Sequence, residues 1–165
     1  MYDIVIIGGG ITGGMIARAL SKYKLDICIL EKENDVAMGA TKANSAIIHA
    51  GFDAEPGTLK AKLNVKGAEM IKKVCSELGV KYKNNGSLVI GFNEEDKEVL
   101  ETLLERGNKN GVKDLKILSK EEIKKLEPNL KDEISCALYA PTAGIVCPYG
   151  LAIAAIGNAM DNGAD

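Results

Sequence analysis

The stretch Asp3-Ile4-Val5-Ile6-Ile7-Gly8-Gly9-Gly10-Ile11-Thr12-Gly13 sets a short apolar run directly against three consecutive glycines, with a fourth three residues later. Glycine loses more backbone freedom on folding than any other residue, so a loop this rich in it implies backbone at positive φ or in close approach to something. Tyr2 to Ile7 reads as a strand buried on both faces of a parallel sheet, because an unbroken apolar run lacks the alternation of a half-exposed strand. Ile11, Met15, Ile16, Ala19, Leu20 and Tyr23 then recur at helical spacing, with Arg18 and Lys22 on the other side, which predicts a helix from Ile11 to Tyr23. Asp26-Ile27-Cys28-Ile29-Leu30-Glu31 reads as a second strand that stops at a carboxylate. Strand, tight turn, helix and parallel strand within about thirty residues make one βαβ unit with a right-handed crossover.

Within that unit the glycines acquire roles. Gly8, Gly10 and Gly13 satisfy G-x-G-x-x-G, and Ala17 extends the pattern with another small residue where helix and strand must approach closely. The motif follows a strand, opens a helix, and is followed 18 residues after Gly13 by Glu31 at the end of the next strand. That context makes it a dinucleotide fingerprint rather than a structural turn. Gly8 makes the turn, Gly10 admits a pyrophosphate against the backbone, and Gly13 permits close packing. The helix N-terminus aims unpaired N–H groups at the phosphate charge. Glu31 accepts from ribose hydroxyls and repels a 2′-phosphate, so the expected ligand is FAD or NAD and not NADP.

Composition bounds the rest. A chain of 165 residues with 46% hydrophobic and 27% charged content is that of an ordinary globular chain of one domain or slightly more. The formal net charge of -2 argues against a nucleic-acid partner, which a strongly basic face would signal. Cys28, Cys75, Cys136 and Cys147 show neither C-x-x-C pairing nor zinc-like spacing, so they are expected to be reduced thiols in a cytoplasmic protein, with no metal bound. The N-terminus lacks the pattern of a signal peptide. Ile134 to Met160 carries no charge, but Pro141, Gly144, Pro148, Gly150 and Gly157 interrupt it, against a membrane span.

The segment Ala37 to Leu63, AMGATKANSAIIHAGFDAEPGTLKAKL, separates the two dinucleotides. Through Gly39, Thr41, Asn44, Ser45, Ile48, His49, Ala50 and Gly51, followed by Pro56-Gly57-Thr58-Leu59-Lys60-Ala61, it resembles the FAD-dependent oxidoreductases of the D-amino-acid oxidase superfamily. The resemblance is strongest to the branch holding flavin-dependent glycerol-3-phosphate dehydrogenases and L-2-hydroxyglutarate oxidases. Gly86 to Phe92 and Leu138 to Pro148 carry it across nearly the whole chain. It implies FAD as cofactor, with Gly8, Gly10, Thr12, Gly13, Glu31, Lys32, Thr41, Asn44, Ser45, Ala46 and Ile48 as its contacts. One departure is that relatives commonly read Asn-Ser-Gly where this chain has Asn44-Ser45-Ala46, placing a methyl group where none is usual.

Local signals supply the remaining elements. Leu63, Gly67, Met70, Ile71, Val74, Cys75 and Leu78 form an apolar stripe on a helix that Gly79 ends. Asn85-Gly86 predicts a hairpin turn between strands Val80 to Lys83 and Ser87 to Phe92. Asn93 caps a helix running to about Asn110, with Gly111 after it; Ser119 with Glu122 makes a capping box for a shorter helix closed by Pro128. Pro148 suits the first turn of a last helix extending to Asn162. The resulting fold is an α/β, Rossmann-like FAD-binding βαβ unit with part of an α+β substrate domain. The expected division is 1–78 for FAD binding, 79–143 for part of a substrate domain, and 144–165 for the return to the first.

His49 is the only histidine. Oxidation of a secondary alcohol by flavin needs hydride to leave toward N5 and a group to take the hydroxyl proton, and histidine is the side chain suited to protons at neutral pH. By resemblance His49 lies near the flavin and is the candidate catalytic residue; packing beside the ring is the alternative. Cys147 is read as a packed thiol, and Lys42 and Lys60 as surface residues. The resemblance implies oxidation of sn-glycerol 3-phosphate to dihydroxyacetone phosphate, or of L-2-hydroxyglutarate. Both are small anionic hydroxy substrates, with the electron acceptor undetermined. A dinucleotide-binding module without chemistry and an interaction fragment are alternatives of other classes. Relatives continue well past the point corresponding to Asp165, so a truncated domain is expected, with the second strand's outer edge unpaired, weak FAD binding and self-association. Peripheral membrane association is left open for a longer protein.

Overall fold

The computed structural model describes residues 1–165 as eight strands and five helices in the order β1 (Ile4–Ile7), α1 (Ile11–Leu20), β2 (Ile27–Leu30), β3 (Ile47–Ile48), α2 (Leu59–Glu77), β4 (Tyr82–Lys83), β5 (Ser87–Gly91), α3 (Glu94–Asn110), β6 (Lys116–Ser119), α4 (Lys120–Leu126), β7 (Cys136–Ala140), β8 (Gly144–Val146) and α5 (Pro148–Asp161). The chain is mixed α/β and divides into two compact units. The first holds Met1–Ala46, Lys73–Tyr82 and Val146–Asp165, and the second holds Ile47–Lys72 and Lys83–Ile145.

In the first unit β1 and β2 pair in parallel, from Ile4 opposite Ile27 to Ile7 opposite Leu30. Parallel strands cannot be joined by a tight turn, and α1 supplies the crossover. Gly13, Gly14 and Ala17 are its buried residues. A Cβ on Gly14 would lie 2.7 Å from Ile156 Cγ1, so α1 and α5 pack closely only because that position has no side chain. Ile6, Ala17, Ile27, Ala159 and Ala164 form the core between sheet and helices. The expected burial of β1 on both faces is corrected: Ile6 is buried, whereas Val5 is 50% and Ile7 89% exposed, because the helices cover one face of the sheet. The α1 helix also ends earlier than its apolar spacing suggested, at a Ser21 cap.

The outer edge of β2 is not left bare. Ala164 bridges Ile27 in parallel, the Asp165 amide donates to Ile27 O at 2.9 Å, and the Ile29 amide donates to Asp165 O at 2.7 Å. The chain therefore returns from α5 to begin a third parallel segment beside β2. Pro148 occupies the first turn of α5, and Cys147 is its N-cap, its Sγ accepting the Gly150 N–H at 3.4 Å. Cys147 is exposed, which corrects the expectation of a packed thiol; Cys28, Cys75 and Cys136 are buried, and all four are free.

In the second unit β5, β7 and β6 form an antiparallel sheet in that order, with Val89 opposite Leu138 and Ile117 opposite Leu138 on the other side. Phe52, Leu100 of α3, Val112, Leu138 and Ala140 belong to its main core, and Leu118, Ile123, Ile134 and Ala137 to a second cluster. Helix ends follow the local signals. The Asn93 side chain accepts the Asp96 amide at the start of α3, Gly111 takes φ 84 after its last residue, and Ser119 and Glu122 form a reciprocal capping box on α4. Gly79 adopts φ 65 just after α2.

The expected hairpin around Asn85-Gly86 does not form, because β4 and β5 belong to different sheets. Lys81 and Lys83 are exposed, whereas the partner β5 takes instead, β7, brings the fully buried Leu138 and Ala140. Gly86, at φ 72, donates its amide to Ala143 O at 3.0 Å, and Asn84 Nδ2 donates to Pro141 O and Ala143 O, both at 2.7 Å. The turn is thus fastened to the loop after β7. The two units also partition the chain differently from the expected 1–78, 79–143 and 144–165. Ile47–Lys72 falls in the second unit, where Ile47 and Ile48 pair with Ile145 and Gly144 and where Ala50 and Phe52 join the core. No helix is long and apolar enough to cross a membrane; the uncharged stretch from Ile134 is divided among β7, β8 and α5.

Candidate functional site

The glycine loop is held by backbone and side-chain contacts, among them the Ala37 N–H donating to Gly9 O at 2.9 Å. Gly8 leaves β1 at φ 108 and donates its amide to Leu30 O at 2.8 Å, continuing the β1–β2 ladder by one bond. A Cβ on Gly13 would stand 2.0 Å from Gly8 O, so no side chain is admissible where α1 crosses the loop. The loop is then held by two acceptors. Thr41 Oγ1 accepts the Ile11 N–H at 3.1 Å, and Glu31 Oε2 accepts the Gly9 N–H at 2.7 Å.

What these contacts leave over is the chemistry. Gly10 is the N-cap of α1 in extended conformation with no side chain to cap the helix, and the amides of Gly10, Thr12 and Gly13 find no acceptor within the unit. Three free N–H donors at the positive end of a helix dipole form a site for an anion. They border a cavity of about 420 Å³ lined by Gly8, Gly10, Leu30, Glu31, Lys32 and Thr41, among others. A Cβ on Gly10 would come within 3.0 Å of Thr41 Oγ1, in the space that a pyrophosphate needs against the backbone. The donors, the bare backbone and the acidic rim fit a dinucleotide such as FAD.

Glu31 has a second task that its position in sequence did not reveal. Besides the Gly9 amide it accepts the Glu33 N–H through Oε1 at 3.1 Å. The Glu33 amide first and the Gly9 amide second hold its carboxyl below the usual carboxylate range. A carboxylate has about four lone-pair sites, which leaves acceptor capacity beyond these two bonds. Lys32 is exposed and pairs with Glu33 at 3.5 Å.

The following turn is held by Asn44. Its Nδ2 donates to Thr41 O at 2.8 Å and Ala40 O at 3.2 Å, and its Oδ1 accepts the Ala46 N–H at 2.8 Å. Ser45 is exposed. Ala46 adopts φ 63, a left-handed conformation that costs an L-residue about 1–2 kcal/mol and glycine nothing comparable. This gives the backbone reason for the glycine expected there from the resemblance.

Gly8, Gly10, Thr12, Gly13, Glu31, Lys32, Thr41, Asn44, Ser45 and Ala46 all lie in the first unit, whereas Ile48 and His49 lie in the second. Ile48 is the last residue of β3, and His49 follows it, exposed. His49 lines a cavity of about 210 Å³ with Gly51, Phe52, Asp53, Lys60 and Asn64. The sequence reading missed the side chains that hold this loop. Asn64 Nδ2 donates to His49 O at 2.8 Å; Asn110 Nδ2 donates to Gly51 O at 2.9 Å and Ala54 O at 2.7 Å; Arg106 Nη1 donates to Asp53 O at 2.9 Å. No spacing rule links an asparagine to a carbonyl so far away in the chain. No cluster of His, Cys, Asp or Glu suited to a metal occurs.

Comparison with known proteins agrees with this geometry. The family model described as DAO, FAD dependent oxidoreductase, matches residues 3–165. The chain is 53% identical over 163 residues to a glycerol 3-phosphate dehydrogenase of Caloramator mitchellensis, covering 99% of this chain and 34% of that one. It is 42% identical over 147 residues to a mitochondrial L-2-hydroxyglutarate dehydrogenase of Nematostella vectensis, covering 88% of this chain and 32% of that one. Among solved structures, the dithionite-reduced L-alpha-glycerophosphate oxidase of Mycoplasma pneumoniae with FAD bound superposes with a TM-score of 0.94 at 34% identity, over 99% of this chain and 44% of that one. The chain therefore spans about a third of the length of the curated relatives it matches.

Proposed function

The chain belongs to the FAD dependent oxidoreductase family, and from that premise we propose that a protein carrying it oxidises a secondary alcohol, with sn-glycerol 3-phosphate converted to dihydroxyacetone phosphate as the leading reaction. The observation that carries the cofactor assignment is the set of unpaired Gly10, Thr12 and Gly13 amides over a backbone bare of side chains. These donors meet the pyrophosphate, and Glu31 accepts from ribose hydroxyls with the capacity left after its Gly9 and Glu33 bonds. Lys32 and Thr41 border the same cavity; on the family resemblance, Asn44, Ser45, Ala46 and Ile48 contribute the remaining cofactor contacts. Bound FAD supplies the hydride acceptor at N5. His49 would take the hydroxyl proton on its imidazole as alcohol becomes ketone, the carbon-bound hydrogen leaving with two electrons to the acceptor that FAD would supply.

The preference for glycerol 3-phosphate rests on the 53% identity to a protein of that name, and L-2-hydroxyglutarate is the second reading on the 42% identity to another. We assign the cofactor contacts, Ile48 excepted, to the first unit and the substrate to the second. The free thiols favour a reducing, cytoplasmic compartment. The exposed Val5, Ile7 and Leu30 favour association between copies of the isolated chain, which a solution mass would test. In the flavin-loaded protein, His49→Asn should slow flavin reduction by substrate by about 10²–10⁴ with flavin still bound. An unchanged rate removes the proton role. Bleaching by L-2-hydroxyglutarate in preference to glycerol 3-phosphate reverses the substrate order.

A further inference from the structure

We propose that Asn64 is the positioning residue for His49, its side-chain amide on α2 fixing the His49 peptide across the cavity that both residues line; this rests on the proton-handling reading of His49. The β3 ladder ends one residue earlier, with Ile48 opposite Gly144, so the His49 carbonyl has no strand partner. Two residues later the chain turns through Gly51 at φ 111, where a Cβ would stand 2.6 Å from Val65 Cγ2. Between the end of the ladder and that turn, the bond from Asn64 Nδ2 to His49 O, at 2.8 Å, is the fixed point. Asn110 and Arg106 hold carbonyls only from Gly51 onward.

A hydrogen-bonded carbonyl restricts ψ of its own residue, and backbone dihedrals select the side-chain rotamers that are allowed. Asn64 thereby acts on the direction of the imidazole without touching it. Asparagine is also a poor helix former compared with alanine or leucine, yet it stands within α2, half-buried, with its side-chain amide on this carbonyl. Adjacent Val65 packs on the main core of the unit, so α2 offers Asn64 a rigid base. An imidazole displaced by about an ångström from the proton it takes loses a large part of its rate advantage.

The test is a double-mutant cycle in the flavin-loaded protein, read as the rate of flavin reduction at saturating substrate. Asn64→Ala is expected to slow reduction about 10- to 100-fold with little change in KM, to be rescued in part by Asn64→Gln, and to add nothing on a His49→Asn background. A second readout needs no flavin. His49 is the only histidine of this chain, so the 165-residue protein gives one set of imidazole ring signals by NMR, which Asn64→Ala should shift or broaden while amide dispersion elsewhere is kept. Should Asn64→Ala fail to fold, Asn64→Gln and Asn64→Ser carry the same readouts. An unaltered rate in Asn64→Ala where His49→Asn is slow overturns the proposal, as does a penalty that persists in full on the His49→Asn background. If His49→Asn itself is harmless, the proton role falls, and the ring signals decide alone: displaced signals keep the positional link, and unmoved ones remove it.

Discussion

The loop Gly8 to Gly13 and the loop His49 to Ala54 are both fastened by side chains from outside themselves, but with opposite polarity. In the glycine loop the fasteners are acceptors, Glu31 and Thr41, which take two backbone N–H groups and leave three others free at a helix end. In the His49 loop the fasteners are donors, Asn64, Asn110 and Arg106, which take carbonyls at His49, Gly51, Asp53 and Ala54. The first arrangement presents backbone donors to an anionic ligand. The second immobilises backbone so that a side chain can be presented. The two loops thus differ in which half of the peptide group is kept available.

Substitution at Gly13 should break the first loop most severely. With Gly8 O only 2.0 Å from where a Cβ would be, Gly13→Val forces α1 off the loop, and a loss of about 3 kcal/mol or more is expected, with FAD binding abolished. Thermal unfolding and flavin fluorescence would measure both. A native-like melt would mean that the loop tolerates rearrangement and that its close contact is not what selects glycine.

The corresponding attack on the second loop is milder. Asn110→Ala removes the donors of two carbonyls and should destabilise by about 1–3 kcal/mol in urea unfolding, the scale of polar groups left without partners. Unchanged stability would show those carbonyls satisfied by water, and would weaken the contrast between the loops.

Ala46→Gly runs in the other direction. Releasing a left-handed alanine outweighs the extra freedom that glycine has in the unfolded chain, so a gain of about 0.5–1 kcal/mol is expected, seen as a raised Tm. A lower Tm would mean that the Ala46 methyl group contributes packing worth more than the backbone strain.

The smallest expected effect is a pH dependence at Glu31. Its folded carboxyl is depressed by the Glu33 and Gly9 amides, so the stability it contributes is present above the ordinary glutamate range and is lost as pH falls through the depressed folded value. Hydrogen exchange at the Gly9 amide, corrected for intrinsic rates, should show protection falling on acidification below the ordinary glutamate range. In Glu31→Gln that acid-side loss should be absent. Protection that falls equally in both proteins would assign the titration to another group.

Much of the first unit was readable from the sequence because its signals are local. A strand, a glycine turn and a helix start lie within eleven residues, and Gly13 is required by the Gly8 carbonyl only five positions away, although Gly14 answers to the distant Ile156. Helix ends at Asn93, Gly111, Ser119 and Gly79 were readable for the same reason, since a cap is satisfied by amides or carbonyls within about four residues. The hairpin at Asn85-Gly86 failed although its dipeptide is a strong local signal. The burial available to β5 beside β7 exceeded what a strand of alternating lysines could offer.

The sequence by itself determined the βαβ unit, its dinucleotide loop and the identity of the lone histidine, because those depend on residue type and short spacing. Only the tertiary structure decided that Glu31 braces Gly9, that Asn64 and Asn110 hold the His49 loop, and that Ala164 and Asp165 pair beside β2. Each of those contacts joins residues between 15 and 138 positions apart in the chain. Such a contact forms only after loop closure has been offset by burial of the whole core, so nothing in the spacing of two residues announces it.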